Sequence, residues 1–196
     1  MRPVCLVVQV AIACWGCLSY AGTPRAASMA CGKINGVAAR TLSFPKEIKW
    51  RMVDGKEARD RFVAPKWLKV TVGRARVRRN QIELSALLQN RSDKPFPLVV
   101  NPYGGSFPYG GDNPFALGFS RAASEVVKYS GKRYPPGPPR PMVIQIPATC
   151  CVQFDARIDL GKHTYRGSPK VTLDWAFYYF KGPHPNGTVE VQLPGR

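Results

Sequence analysis

The sequence predicts an all-β protein, an antiparallel β-sandwich preceded by an N-terminal arm, and three observations lead there. Apolar residues recur at every second position in several runs after Trp67, Gly and Pro punctuate those runs, and no convincing run of ten residues has helical periodicity. Alternation of this kind sets one face of a strand in a core and the other in water. About eight such strands with turn signals between them are the pattern of two packed sheets.

In chain order, residues 1–21 read as a secretory signal. Arg2 gives a positive start, Val4 to Leu18 is uncharged and mostly apolar, and Ser19-Tyr20-Ala21 supplies small residues at the third and last positions before a cut after Ala21. A membrane anchor would need about 20 apolar residues, and Gln9 and Gly16 interrupt this run. Ala11-Ile12-Ala13-Cys14 also has the small residues that precede a lipid-modified cysteine, so anchoring at Cys14 is a minor alternative. The expected location is periplasmic or secreted, with no transmembrane segment after the signal is removed.

Residues 22–66 read as an arm, mixed and charged, with room for one short strand or helical turn. The domain proper is expected over 67–196. Leu68, Val70 and Val72 alternate with Lys69 and Thr71, and Ile82, Leu84, Ala86 and Leu88 alternate with polar neighbours except at Leu87. Asn90 to Pro95 is a turn, and Phe96 to Val100 starts the next strand. Further strands are expected at 115–119, 125–129, 142–146, 150–160, 171–180 and 188–193. Parity puts Val152, Phe154, Ala156, Ile158 and Leu160 inward, together with Val171, Leu173, Trp175, Phe177 and Tyr179. After signal removal about 175 residues remain, enough for one core.

Six cysteines are present, but Cys5, Cys14 and Cys17 lie in the signal, leaving Cys31, Cys150 and Cys151. In an oxidising compartment three cysteines imply one disulfide and one thiol. A vicinal bridge is strained, and Cys150 shares the inward parity, so the expected pair is Cys31 with Cys150. Three cysteines and the distant His163 and His184 lack the paired spacing of a zinc site, so no metal and no cofactor are expected.

The chain carries a formal charge of +17, and loss of Arg2 with the signal leaves +16. A positive field concentrates polyanions and speeds their encounter. Outside the cytoplasm this points to anionic envelope glycans or lipids, with nucleic acid the less favoured polyanion and a protein partner the other option. The plainer reading is that many exported proteins are simply basic.

The stretch Leu84-Ser85-Ala86-Leu87-Leu88-Gln89-Asn90-Arg91-Ser92-Asp93-Lys94-Pro95 resembles the second-strand signature of bacterial immunoglobulin-like modules. Val127-Lys128-Tyr129-Ser130-Gly131, the proline stretch to Pro141, Val143 to Ile146 and Phe154 to Leu160 then follow an order similar to the N-terminal module of peptidyl-lysine metalloendopeptidase-like proteins. The similarity spans about residues 67–193. It implies an immunoglobulin-like sandwich with an accessory or binding role. The catalytic His-Glu-x-x-His of that family does not occur in this sequence, so no protease residue carries over.

No catalytic residues are expected. His163 and His184 sit beside Gly and Pro in loops, and Asp155 and Asp159 are roughly 13 Å apart if on one strand, too far for paired acid and base work. Arg74, Arg76 and Arg78 alternate with Ala75 and Val77, so an extended backbone aims three guanidinium forks one way. That suits phosphate or carboxylate recognition, against the plainer role of a charged edge that blocks sheet-to-sheet pairing. In the loop Pro102 to Gly111, Pro-Tyr-Gly-Gly occurs twice, and Tyr103 and Tyr109 are candidates to stack on sugars or bases. The alternative function is a protease inhibitor that presents loops 101–114 and 132–141.

Overall fold

The computed structural model describes residues 29–62, 68–101, 113–131 and 141–195. The segment read as an arm is more structured than its composition suggests. Lys33–Ile34 (β1) and Val37–Ala38 (β2) close a hairpin over Asn35-Gly36, both at positive φ, as a two-residue Asn-Gly turn requires. Arg40–Ser43 (β3) and Trp50–Met52 (β4) follow, then a helix, Gly55–Arg61 (α1). Asp54 caps α1, its carboxylate accepting from the Glu57 backbone N–H at 2.7 Å.

Next come Lys69–Val72 (β5), Arg76–Arg78 (β6) and Gln81–Gln89 (β7). β6 and β7 form a second tight hairpin over Arg79-Asn80, again with positive φ at both residues. Phe96–Val100 (β8) and Phe115–Phe119 (β9) precede one helical turn, Ala123–Val126 (α2), and the short Lys128–Tyr129 (β10). The strand expected over 125–129 is therefore helical in its first half. Met142–Ile146 (β11), Cys150–Asp159 (β12), His163–Thr164 (β13), Lys170–Phe177 (β14) and Asn186–Gln192 (β15) complete the order.

The fold is an all-β sandwich. One sheet runs β3-β12-β7-β5 with β6 also on β7, a second runs β4-β11-β8, and a third runs β15-β14-β9. β7 and β12 are its antiparallel spine, paired from Cys151↔Gln89 to Asp159↔Gln81. β3 lies parallel to the first part of β12, the exception to the antiparallel pattern. An isolated bridge, Val100↔Tyr179, joins the second and third sheets. The Asn113 amide ties the entrance of β9 to β12 by donating to the Asp155 carbonyl at 2.8 Å.

One core takes Leu84, Leu88, Phe154 and Ile158 from the first sheet, Leu98, Met142 and Ile144 from the second, and Phe115, Leu173 and Phe177 from the third. The inward parity read for β12 and β14 holds, Trp175 being half-buried and the rest buried. The Asn90 turn is a structural knot. The buried Asn90 donates to the carbonyls of Lys94, Ile146 and Pro147 and accepts from the Ser92 backbone N–H and hydroxyl, at 2.7 to 3.1 Å. On the far side of the second sheet, Ala58 of α1 seats against Val99 and Val143.

The disulfide corrects the expected pairing: Cys31 bridges Cys151, and Cys150 is the free thiol. The parity was right, with Cys150 against the main core and Cys151 on the opposite face. That opposite face is not open to water. The 29–39 segment covers it, burying Cys151 with Ile34 and Leu87, and the Met29 backbone N–H donates to the Gln153 side chain at 3.1 Å. An outward residue was therefore the one that met Cys31.

Candidate ligand-binding face

The arginines are placed by their neighbours. Ala75 and Val77 pack against the core, and Val77 stands opposite Ile82, so Arg76 and Arg78 turn away from it, while Arg74 lies in the unpaired stretch just before β6. Arg74 and Arg76 are exposed and Arg78 is half-buried. Arg76 is in register with Glu83, and Glu83 is in register with Arg157 on the next strand. The Arg157 Nε lies 3.5 Å from the Glu83 carboxylate. A row of Arg, Glu and Arg thus crosses three strands.

Beside that row the outer face opens into a groove of about 720 Å³. β12 contributes Asp155 and Arg157 as one wall, β9 and β14 give the floor, and Tyr178 and His184 stand at one end. Small side chains keep the floor clear: Ala116 pairs with Ala176, and Gly118 stands beside Asp174. Asp155 is held in place by the Ser85 hydroxyl at 2.6 Å and the Gln153 amide at 2.8 Å, both donating to Oδ1. The Tyr179 backbone N–H donates to His184 Nδ1 at 3.1 Å, which leaves Nε2 as the protonated ring nitrogen of the neutral imidazole. Tyr178 and His184 meet edge to face with centroids 5.1 Å apart.

The other candidates separate from this face. His163 is buried, its Nδ1 2.9 Å from the Asp159 carbonyl and its ring against Phe119 and Tyr129. Asp159 accepts from the Gly161 backbone N–H at 2.9 Å and so caps the turn after β12. Tyr103 and Tyr109 lie outside the described residues, as does nearly all of the 132–141 loop. The flanks of the aromatic loop are fixed at the Tyr178 end of the groove: the Asn101 N–H donates to the Tyr178 carbonyl, and the Tyr178 N–H to that of Pro114.

In comparisons with known proteins, no family model matches this chain and no curated protein matches it. The functional reading therefore stands on geometry. Sequence reasoning found the arginine alternation but missed Arg157, Asp174, Tyr178 and His184 as groove residues. Gly118, set inside an apolar strand, was the one sequence signal for the groove. It becomes readable only once β9 is known to border β14 and to lie beside β12.

Proposed function

We propose that this chain is an exported, non-catalytic binding module for an anionic envelope component, built as an immunoglobulin-like sandwich and acting in the periplasm or outside the cell. The observation that carries this reading is the shared outward face of Arg76 and Arg78, extended across the sheet to Arg157, with the exposed Arg74 just before them in the chain. Guanidinium groups are planar donors matched to phosphate and carboxylate oxygens, and the net charge of +16 that remains without residues 1–21 supplies long-range attraction. Export is supported by the Cys31–Cys151 bridge, since disulfides persist in oxidising compartments. Among the described residues no helix is long and apolar enough to cross a membrane.

The test is co-sedimentation of residues 22–196 with envelope fractions across a salt titration, beside a variant with Arg74, Arg76 and Arg78 all changed to Gln. Retention should fall steeply with salt and should be weaker and less salt-dependent in the variant, the slope of log affinity against log salt dropping by roughly two to three. Equal retention of both proteins at every salt concentration would refute the assignment of the arginines. Absence of retention at any salt would instead direct attention to protein partners, proteases among them.

A further inference from the structure

We infer that the groove over β9 and β14 seats a hydroxyl-rich sugar ring of an anionic glycan, while the neighbouring arginines meet that glycan's charged groups. The inference rests on the binding-module reading above and names the unit that enters the groove.

Gly118 carries the inference. A glycine inside a strand weakens it and marks a bulge, a tight bend or a close approach of another group. No bulge is present, because Leu117, Gly118 and Phe119 pair in unbroken register with Trp175, Asp174 and Leu173. Its φ lies outside the left-handed region, and a Cβ placed there would meet nothing within 4 Å. Neither backbone conformation nor packing among the described residues calls for glycine here. Gly187 shows the contrast: a Cβ at that position would come within 2.9 Å of the Trp175 ring, so the fold itself excludes a side chain. At Gly118 the space kept clear is the groove.

Register gives the size of the floor. Ala116, Ala176 and Asn186 form one row across three strands, and Gly118, Asp174 and Thr188 form the next. With strands about 4.8 Å apart and same-face residues about 7 Å apart along a strand, the floor is roughly 10 Å by 7 Å, the scale of one pyranose.

The chemistry of the lining selects the ligand. The exposed Asp174 carboxylate has no hydrogen-bond partner among the described residues, and carboxylates are acceptors only. Asn186 uses its amide N–H on the His184 carbonyl, leaving its side-chain oxygen as an acceptor. A ligand must therefore bring donors, and hydroxyls bring them without the charge that Asp155 and Asp174 would repel in a phosphate. The apolar face of a sugar ring suits the Ala116 and Ala176 floor. Charge is thus divided, with anions at the arginine row and the uncharged ring in the groove.

The experiment is an isothermal calorimetric titration of residues 22–196 with neutral cello-, malto- and chitotetraose in 1 M NaCl, where the screening length is about 3 Å. At least one sugar should saturate the wild-type signal. Gly118→Val, a residue type that strands accommodate well, should bind at least tenfold more weakly with an unchanged thermal midpoint, and Asp174→Ala should weaken binding as well. The triple Arg→Gln variant should retain full affinity. No saturation by any of the three sugars would overturn the inference while leaving the arginine reading to its own salt test. Equal affinity in Gly118→Val and Asp174→Ala, or loss in the arginine variant, would overturn the placement.

Discussion

Changing Cys151 and Cys150 separately to Ser separates two adjacent thiols with very different energetic roles. The Cys31–Cys151 bridge spans 120 residues. Closing a loop of that length removes about 5 kcal/mol of unfolded-state entropy at 25 °C in the chain-entropy account. Whole domains are stable by about 5 to 15 kcal/mol, so loss of this bridge should bring the protein close to unfolding. The half-buried Cys150 thiol touches the core but closes no loop, and Cys150→Ser should cost about 1 kcal/mol. Urea unfolding with and without reductant reads both effects. Wild type and Cys150→Ser should lose several kcal/mol on reduction, whereas Cys151→Ser and Cys31→Ser should already be destabilised and indifferent to reductant. If Cys150→Ser were the variant indifferent to reductant, the bridge would run through Cys150, and the account of a covered outer face would fail.

Two further predictions concern stability. Asn90→Ala should cost about 3 to 5 kcal/mol in urea unfolding, because three carbonyls and the Ser92 donors lose their partner at roughly 1 kcal/mol each; a loss below 1 kcal/mol would show that the knot is dispensable. Burial pushes the Tyr179 phenol up to about 12 from its ordinary 10.0. Its contribution is therefore complete below pH 10 and is lost as pH rises through 12, a fall of up to about 3 kcal/mol. Tyr179→Phe should flatten that part of the alkaline stability curve relative to wild type. It should cost little at pH 7, since the buried hydroxyl has no partner among the described residues; identical alkaline curves would refute the assignment.

The core was legible in the sequence because it depends on parity alone. Val152 to Leu160 and Val171 to Tyr179 alternate cleanly, and alternation fixes which face is buried without knowledge of the partner strand. What covers the other face depends on pairing between distant segments, and no local period encodes that. Thus Cys151 and Gln153 read as outward and are outward, yet both are buried by a segment more than a hundred residues earlier. Asn35-Gly36 was a readable hairpin signal within that segment. Its length of two residues per strand left no alternation to support it. The groove was hidden for the same reason as the disulfide: Asp155 and Asp174 belong to strands of different sheets, and only the meeting of β12 with β9 brings them to one cavity.

A strongly basic chain that places Glu83, Asp155 and Asp174 on its candidate binding face invites a physical reason for the acids. Glu83 stands between Arg76 and Arg157 in the cross-strand row, so it offsets the repulsion that two neighbouring guanidinium groups would feel. It also engages Arg157 through Nε, and the guanidinium group carries further donors on its two terminal nitrogens. Asp155 receives two neutral donors, from Ser85 and Gln153, at the groove wall. A uniformly basic face would hold any polyanion in any register. On the proposed reading, acids set between and beside the arginines penalise anions that sit on the groove and favour those whose charges fall on the row, trading raw affinity for register.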